Sequence, residues 1–169
     1  AHLLAQLEAG ELDFVLLTHA HIDHSGKLPL LYKQGYRGPI YASAATCSLC
    51  EIMLRDCANI QMSDAEWRNN KAKRSGAEFI EPLYDMEDAE GILRQMRPCP
   101  YNEQIQVNDC VTIRLTDVGH LLGSAAVELW LHENGEMRKI TFSGDIGNKD
   151  QPILRDPQHV KDTEYLVME

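Results

Sequence analysis

The sequence predicts an α/β protein whose strands and helices stack as a layered sandwich, and three observations carry that expectation. A short strand-like run, "DFVLL" (13–17), apolar after its first residue, precedes a helix pattern and a second strand, "GPIYA" (38–42), which makes a βαβ unit and therefore a parallel pair. The middle of the chain, from Ser43 to about residue 96, is helix-spaced. After Pro98 and Pro100 the texture changes to apolar and period-two runs. With 169 residues, 44% of them hydrophobic, the chain is one domain long and can bury a core.

Each element has its own justification. The strand at 13–17 has no polar alternation, so both of its faces are expected to be covered. "KLPLLYKQGY" (27–36) reads as a helix with Pro29 in its first turn and Gly35 near its end. From Ser43 to about Cys57 the spacing of Leu49, Met53 and Leu54 is helical, a second helix is expected over Ser63 to Ser75, and "MEDAEGILRQM" (86–96) makes another. "QIQV", "CVTIRLTDV", "SAAVELWLHE" and "MRKITFSG" then form an antiparallel half, with "ENGE" (133–136) as a hairpin turn. The chain begins at Ala1 in what reads as the end of a helix and stops at Glu169 inside the strand-like run "EYLVME", so both ends are expected to be truncations.

Composition narrows the function classes. No apolar run approaches the roughly 18 residues of a membrane span, and the first residues lack the basic start and cleavage site of a signal peptide. The cysteines, Cys47, Cys50, Cys57, Cys99 and Cys110, are odd in number in a chain that needs no disulfide staples, so a cytoplasmic protein is expected. A net charge of −10 ordinarily argues against a nucleic-acid surface, although acids that hold metal ions reverse the sign locally. The one basic cluster, Arg68, Lys71, Lys73 and Arg74, reads as a solvated helix face. "CSLC" (47–50) has CxxC spacing, yet Cys47, Cys50 and Cys57 share one helical face with apolar neighbours and read as buried small side chains. Trp67 and Trp130 read as core or edge packing, and His2, His132 and His159 as surface residues.

The chemistry is concentrated in "THAHIDHSG" (18–26). In an extended stretch, side chains at i and i+2 point the same way, so His19 and His21 can reach one ion together. Asp23 and His24 follow where the chain turns into a helix and project elsewhere, which suits a second, neighbouring ion. Taken singly, Asp23 or Ser25 could be a helix cap and each histidine a loop residue; four such donors at one strand-to-helix turn point to metal. Further donors stand in two glycine-flanked loops at strand ends: His120 in "TDVGHLLGSA" and Asp145 in "TFSGDIGN". All are imidazole or carboxylate donors, which favours Zn²⁺ and admits Mn²⁺ or Fe.

At these residues the chain resembles the metallo-β-lactamase superfamily: "THAHIDH" matches its HxHxDH signature, His120 its next histidine motif and Asp145 its bridging aspartate. "GHLLGSA", "GYRGPIYA", "FSGDIGN" and "DTEYLVME" are similar to the RNA-processing β-CASP branch. The resemblance implies a four-layer αββα sandwich spanning residues 1–169, partial because the first strands and the part after Glu169 are missing, with a β-CASP domain to follow. It implies that one zinc takes His19, His21, His120 and Asp145, and the other Asp23, His24 and the shared Asp145. The implied activity is dinuclear, metal-dependent hydrolysis of single-stranded RNA by a metal-bridging hydroxide, with no membrane partner and with room for a homo-oligomer. Asp23 and Glu169 are the expected catalytic carboxylates, Glu169 not as a ligand but as the orienter of a later histidine acid, so that the fragment alone is expected to be inactive. A small-molecule hydrolase of the same fold, acting on a thioester or lactone, is the alternative, and a non-catalytic scaffold subunit is another.

Overall fold

Parallel pairing organises the first half of the chain. The computed structural model describes residues 8–169, and the expectations for a helix end at Ala1 and for His2 lie outside them. β1 (Val15–Leu16) pairs in parallel with β2 (Ile40–Ser43), which pairs in parallel with β3 (Met96–Cys99). Parallel neighbours need crossovers. α1 (Ile22–Ser25) and α2 (Leu28–Lys33) lie in the first, α3 (Ala44–Ser75) and α4 (Met86–Leu93) in the second.

The helices cover one face of this sheet, where Leu17, Ile40 and Ala42 pack with Leu28, Leu31, Cys47, Cys50, Leu54 and Ile92. On its other face Phe14, Leu16 and Tyr41 meet Val111, Ile113, Leu115, Val127 and Leu129 of a second sheet. That sheet runs β4 (Ile105–Gln106), β5 (Val111–Asp117), β6 (Ala125–Glu133), β7 (Glu136–Phe142) and β8 (Tyr165–Val167). β4 to β7 are antiparallel, as expected, and the β6–β7 hairpin turns on Asn134 and Gly135, whose φ values of 52° and 80° are the two positive angles of a type I′ turn. Of the four expected layers, three are thus seen as α, β and β. The outer face of the second sheet is covered by irregular chain: Gln158 N–H donates to the Asp117 carbonyl at 2.9 Å, and Lys139 Nζ to the Lys161 carbonyl at 2.5 Å.

Several expectations need correction. The two helices expected at Ser43–Cys57 and Ser63–Ser75 are one 32-residue helix, α3, because "ANIQM" between them holds no Gly or Pro and Leu54, Ala58, Ala65 and Ala72 keep one face buried throughout. Ser43 caps its start and Gly76, at φ 71°, ends it. The helix expected over 86–96 stops at Leu93; Met96 opens β3, which tolerates Pro98 because it is an edge strand. β8, which the sequence marks only as a strand-like run, pairs in parallel with β7. Trp67 is not packed but 64% exposed, its ring 5.5 Å from the Lys71 ammonium, whereas Trp130 is half-buried on the second sheet's outer face, near Arg114 and Lys139. Arg68, Lys71 and Lys73 are exposed, as expected of a solvated face, and so are His132 and His159.

One buried charge lies on that outer face. The fully buried Glu128 carboxylate accepts from Arg114 Nε and Nη2 at 2.7 Å each and from Thr116 Oγ1 at 2.8 Å, and pairs with Lys139 Nζ at 2.7 Å. Burial pushes its pKa up, but the hydrogen bonds from Arg114, Lys139 and Thr116 outweigh that and hold it below the ordinary value. Glu128→Gln should lower stability at neutral pH by about 3–5 kcal/mol in denaturant unfolding, since it leaves two cations without their counterion. A depressed carboxylate stabilises above its unfolded pKa of about 4.3, so the gap from wild type should narrow as pH falls below that value.

Candidate metal centre

β1 delivers the chain to the carboxyl edge of the parallel sheet, where ligand sites of such sheets gather. Ala20 and the histidines on either side of it follow there, and α1 starts at Ile22, placing Asp23 and His24 in a single helical turn. Ser25 Oγ reaches back to the carbonyls of Ala20 (2.8 Å) and His21 (3.0 Å), which fixes that turn. His120 lies in the β5–β6 connection and Asp145 just beyond β7, both at the same edge.

Four donor atoms converge. His21 Nδ1 lies 3.1 Å from His19 Nε2 and 3.1 Å from His120 Nε2, and Asp145 Oδ2 lies 3.2 Å from His120 Nε2 and 3.7 Å from His19 Nε2. All four lie within 4.8 Å of one another. A tetrahedral shell with metal–ligand bonds of about 2.0–2.1 Å has edges of about 3.3–3.4 Å, so these atoms have the spacing of a zinc-sized coordination sphere. Hydrogen bonding does not account for it: three imidazole nitrogens turned towards one point cannot each find a complementary partner there. His19 is fully buried, and its pKa is lowered to about 4, first by burial and then by His24, against the opposing pull of Asp145. It is therefore neutral near pH 7. With the proton on Nδ1, 3.1 Å from Thr18 Oγ1, Nε2 is left as a lone-pair donor.

A second group adjoins the first. His24 Nε2 lies 3.7 Å from Asp145 Oδ1, 3.5 Å from Glu169 Oε1 and 3.7 Å from Asp23 Oδ2. Asp145 thus turns one oxygen to each group. All the residues singled out in the sequence, His19, His21, Asp23, His24, His120, Asp145 and Glu169, meet at this edge. Glu169, expected only to orient another residue, stands with His24 and Asp145 as a third potential donor. The side chains of Asp23 and Glu169 are 75% and 59% exposed, against 1% for His19, so the second group is the open one.

The chain matches the metallo-beta-lactamase superfamily domain over residues 3–163. It belongs to that superfamily. It is 39% identical over 147 residues to a ribonuclease of Thermus thermophilus, covering 87% of this chain and 29% of the ribonuclease. It is 31% identical over 166 residues to the transcription termination factor FttA of Pyrococcus abyssi, covering 96% of this chain and 23% of that protein. The chain spans less than a third of the length of these two curated relatives. The metallo-beta-lactamase fold protein YhfI of Bacillus subtilis superposes with a TM-score of 0.50 at 14% identity, covering 88% of this chain and 46% of that one, a likeness of fold alone. Among the described residues no helix is long and apolar enough to cross a membrane.

Neither donor group contains sulfur. Cys47 and Cys50 are buried, with thiols pushed up by burial to about 11 and about 12, and stay protonated, as buried small side chains. The supporting hydroxyls of Thr18, Ser25 and Ser124 escaped the sequence reading; only the adjacency of Thr18 and Ser25 to the motif hinted at them. Ser124 Oγ accepts from His120 N (3.0 Å) and Leu121 N (3.3 Å), and the Tyr101 hydroxyl, raised to about 12 by burial and so protonated, donates to the Ser124 carbonyl at 2.9 Å. Gly144 brings Asp145 in: at φ 53°, a Cβ there would lie 2.9 Å from Thr18 Cβ. Gly144→Ala should therefore cost about 1–3 kcal/mol in denaturant unfolding and weaken divalent-ion binding as well, read by competition with a chelator.

Proposed function

We propose that this domain carries the metal centre of an RNA-cleaving hydrolase of the β-CASP branch, and that its two donor groups hold a pair of zinc ions. The observation that supports this most is the Asp145 carboxylate, with Oδ2 towards His19 and His120 and Oδ1 towards His24. A carboxylate so placed is suited to joining two ions. In this reading His19, His21, His120 and Asp145 hold the first, and Asp23, His24 and the shared Asp145 hold the second. When bound, such a pair supplies a nucleophile near neutral pH and neutralises phosphoryl oxygens during in-line attack.

The chain's own residues do the rest. Thr18 Oγ1 accepts from His19 Nδ1 in the tautomer that leaves Nε2 free, burial keeps His19 neutral, and the open side of the site, lined by Asp23 and Glu169, admits substrate. RNA is the proposed substrate because the relatives carry the names ribonuclease and transcription termination factor and are 39% and 31% identical to this chain over 87% and 96% of its length. A β-CASP domain following Glu169 belongs to the same reading, with Glu169 orienting a histidine acid from it.

Elemental analysis of the full-length protein, purified without chelator, should find zinc; finding only magnesium or calcium would overturn the assignment. Asp145→Ala should lower occupancy at both positions and Asp23→Ala chiefly at one, and an Asp145→Ala protein with full metal content would remove the shared role. The full-length protein should cleave single-stranded RNA and lose that activity on chelation. Robust thioester hydrolysis without RNA cleavage would assign the site to a small molecule instead.

A further inference from the structure

Loop 118–124 presents His120, yet the His120 side chain is 26% exposed and burial alone does not hold it. The loop is held by its backbone. Its base is fastened from the junction of β2 and α3 by two hydroxyls that have no part in the donor set: Ser43 Oγ donates to the Gly123 carbonyl at 2.6 Å and Thr46 Oγ1 to the same oxygen at 2.9 Å, across 80 and 77 residues of chain. Both side chains are buried.

We infer that Ser43 and Thr46 clamp the Gly123 carbonyl so as to set the position of His120, and are positioning residues for the metal centre. The inference rests on the metal reading of the site. Both lone pairs of the Gly123 oxygen are taken, which fixes the direction of that carbonyl as well as its place. One residue on, Ser124 holds the His120 and Leu121 amides through its hydroxyl, and its own N–H donates to the Leu121 carbonyl at 3.0 Å, so the turn that carries His120 is closed upon the clamped peptide. Ala125 N–H then donates to the Thr18 carbonyl at 2.9 Å, which ties the same turn to the strand end carrying His19.

Helix capping alone does not explain both hydroxyls. Ser43 caps α3 by accepting from Thr46 N at 3.1 Å, and its single proton is left for Gly123. Thr46 is the third residue of that helix, where a capping box would use a longer Glu or Gln reaching back to the cap. The Thr46 hydroxyl is too short to reach back to the cap's backbone; it lies 3.1 Å from Ser43 Oγ and gives its own proton to the loop. Gly123 shows the reciprocal fit. At φ 93° it has no side chain, and a Cβ would lie 2.5 Å from Thr46 N, 2.7 Å from Thr46 Oγ1 and 2.8 Å from Ser43 Oγ. The hydroxyls reach the carbonyl only because nothing stands between.

The test uses the full-length protein and zinc affinity measured by competition with a chromogenic chelator, together with the visible spectrum of the cobalt-loaded form. Thr46→Val keeps the shape and removes the hydroxyl; affinity at the tighter position should fall by about tenfold, the lower end of what loss of such outer-sphere support costs. The cobalt bands should shift, and Thr46→Ser should restore both readings. Ser43→Gly, which spares most of the capping and removes the other hydroxyl, should act in the same direction and serves if Thr46→Val does not fold. Leu54→Ala, buried on the same helix and away from the loop, should destabilise the fold and leave affinity unchanged. Unchanged affinity in both hydroxyl variants, or an equal fall in Leu54→Ala, overturns the clamp while leaving the metal reading intact. A wild-type protein that binds no divalent ion overturns the metal reading, and the clamp with it.

Discussion

Three imidazole nitrogens and a carboxylate oxygen held within 4.8 Å of one another are a constraint that no isolated segment of this chain could sustain. In water such groups would separate and hydrate. Here one histidine is fully buried, kept neutral, and faces two others, so the arrangement costs free energy unless a cation occupies the centre. The cost is met by the packing of the rest: two apolar clusters, one between helices and first sheet and one between the sheets, hold the strand ends in place. Elsewhere the polar chemistry is settled, for among the described residues no buried side-chain nitrogen or oxygen lacks a partner. Local conflict is concentrated where the donors meet, the pattern expected of a functional site in an otherwise consistent fold.

Strand direction explains which loops contribute. In an antiparallel run, connections alternate between the two edges of the sheet, so the β5–β6 loop and the end of β7 fall on one edge and the β6–β7 hairpin on the other. His120 and Asp145 therefore reach the site, while Asn134 and Gly135 are free to be a simple turn. The parallel β7–β8 pairing matters for the same reason. Had β8 run antiparallel, its end would point to the far edge; running parallel, it brings Glu169 beside His24, and Ser143 Oγ accepts the Glu169 amide at 3.2 Å.

Much of this was legible before any coordinates, because ligand chemistry is dense and local. HxHxDH puts four donors within six residues, and the glycines around His120 and Asp145 mark loops that need unusual backbone. The βαβ opening, the ENGE hairpin and the burial of Cys47 and Cys50 in α3 follow from period and turn chemistry alone, whereas Cys57, expected to be buried with them, is only half-buried. What was not legible depends on partners distant in sequence. The continuity of α3 rests on a face of small residues, Ala58, Ala65 and Ala72, which carry little periodic signal. The strand at Met96–Cys99 contains a proline and is held by pairing with β2 and by Met96 and Cys99 packing into the two apolar clusters. The direction of β8 and the contacts of Ser43 and Thr46 with Gly123 are tertiary facts with no local signature.

The hydroxyl-rich surroundings of the donors bear on how an acidic chain could act on a polyanion. Histidine ligands are often backed by carboxylates, which raise their basicity and add negative charge. Here the groups around the donors are largely neutral: Thr18 Oγ1 lies 3.1 Å from the His19 ring, and the hydroxyls of Ser25, Ser124 and Ser143 hold the backbone of His21, His120 and Glu169. The Asp117 carboxylate accepts the Gly119 amide at 2.9 Å and likewise serves the backbone. Hydroxyls orient donors without contributing charge. In a chain of net charge −10, further carboxylates behind the histidines would deepen the negative potential at the site, against the approach of the phosphodiester that the proposed function requires. On the proposed reading, the carboxylates among the two donor groups are Asp23, Asp145 and Glu169, the positions where bound cations would offset them.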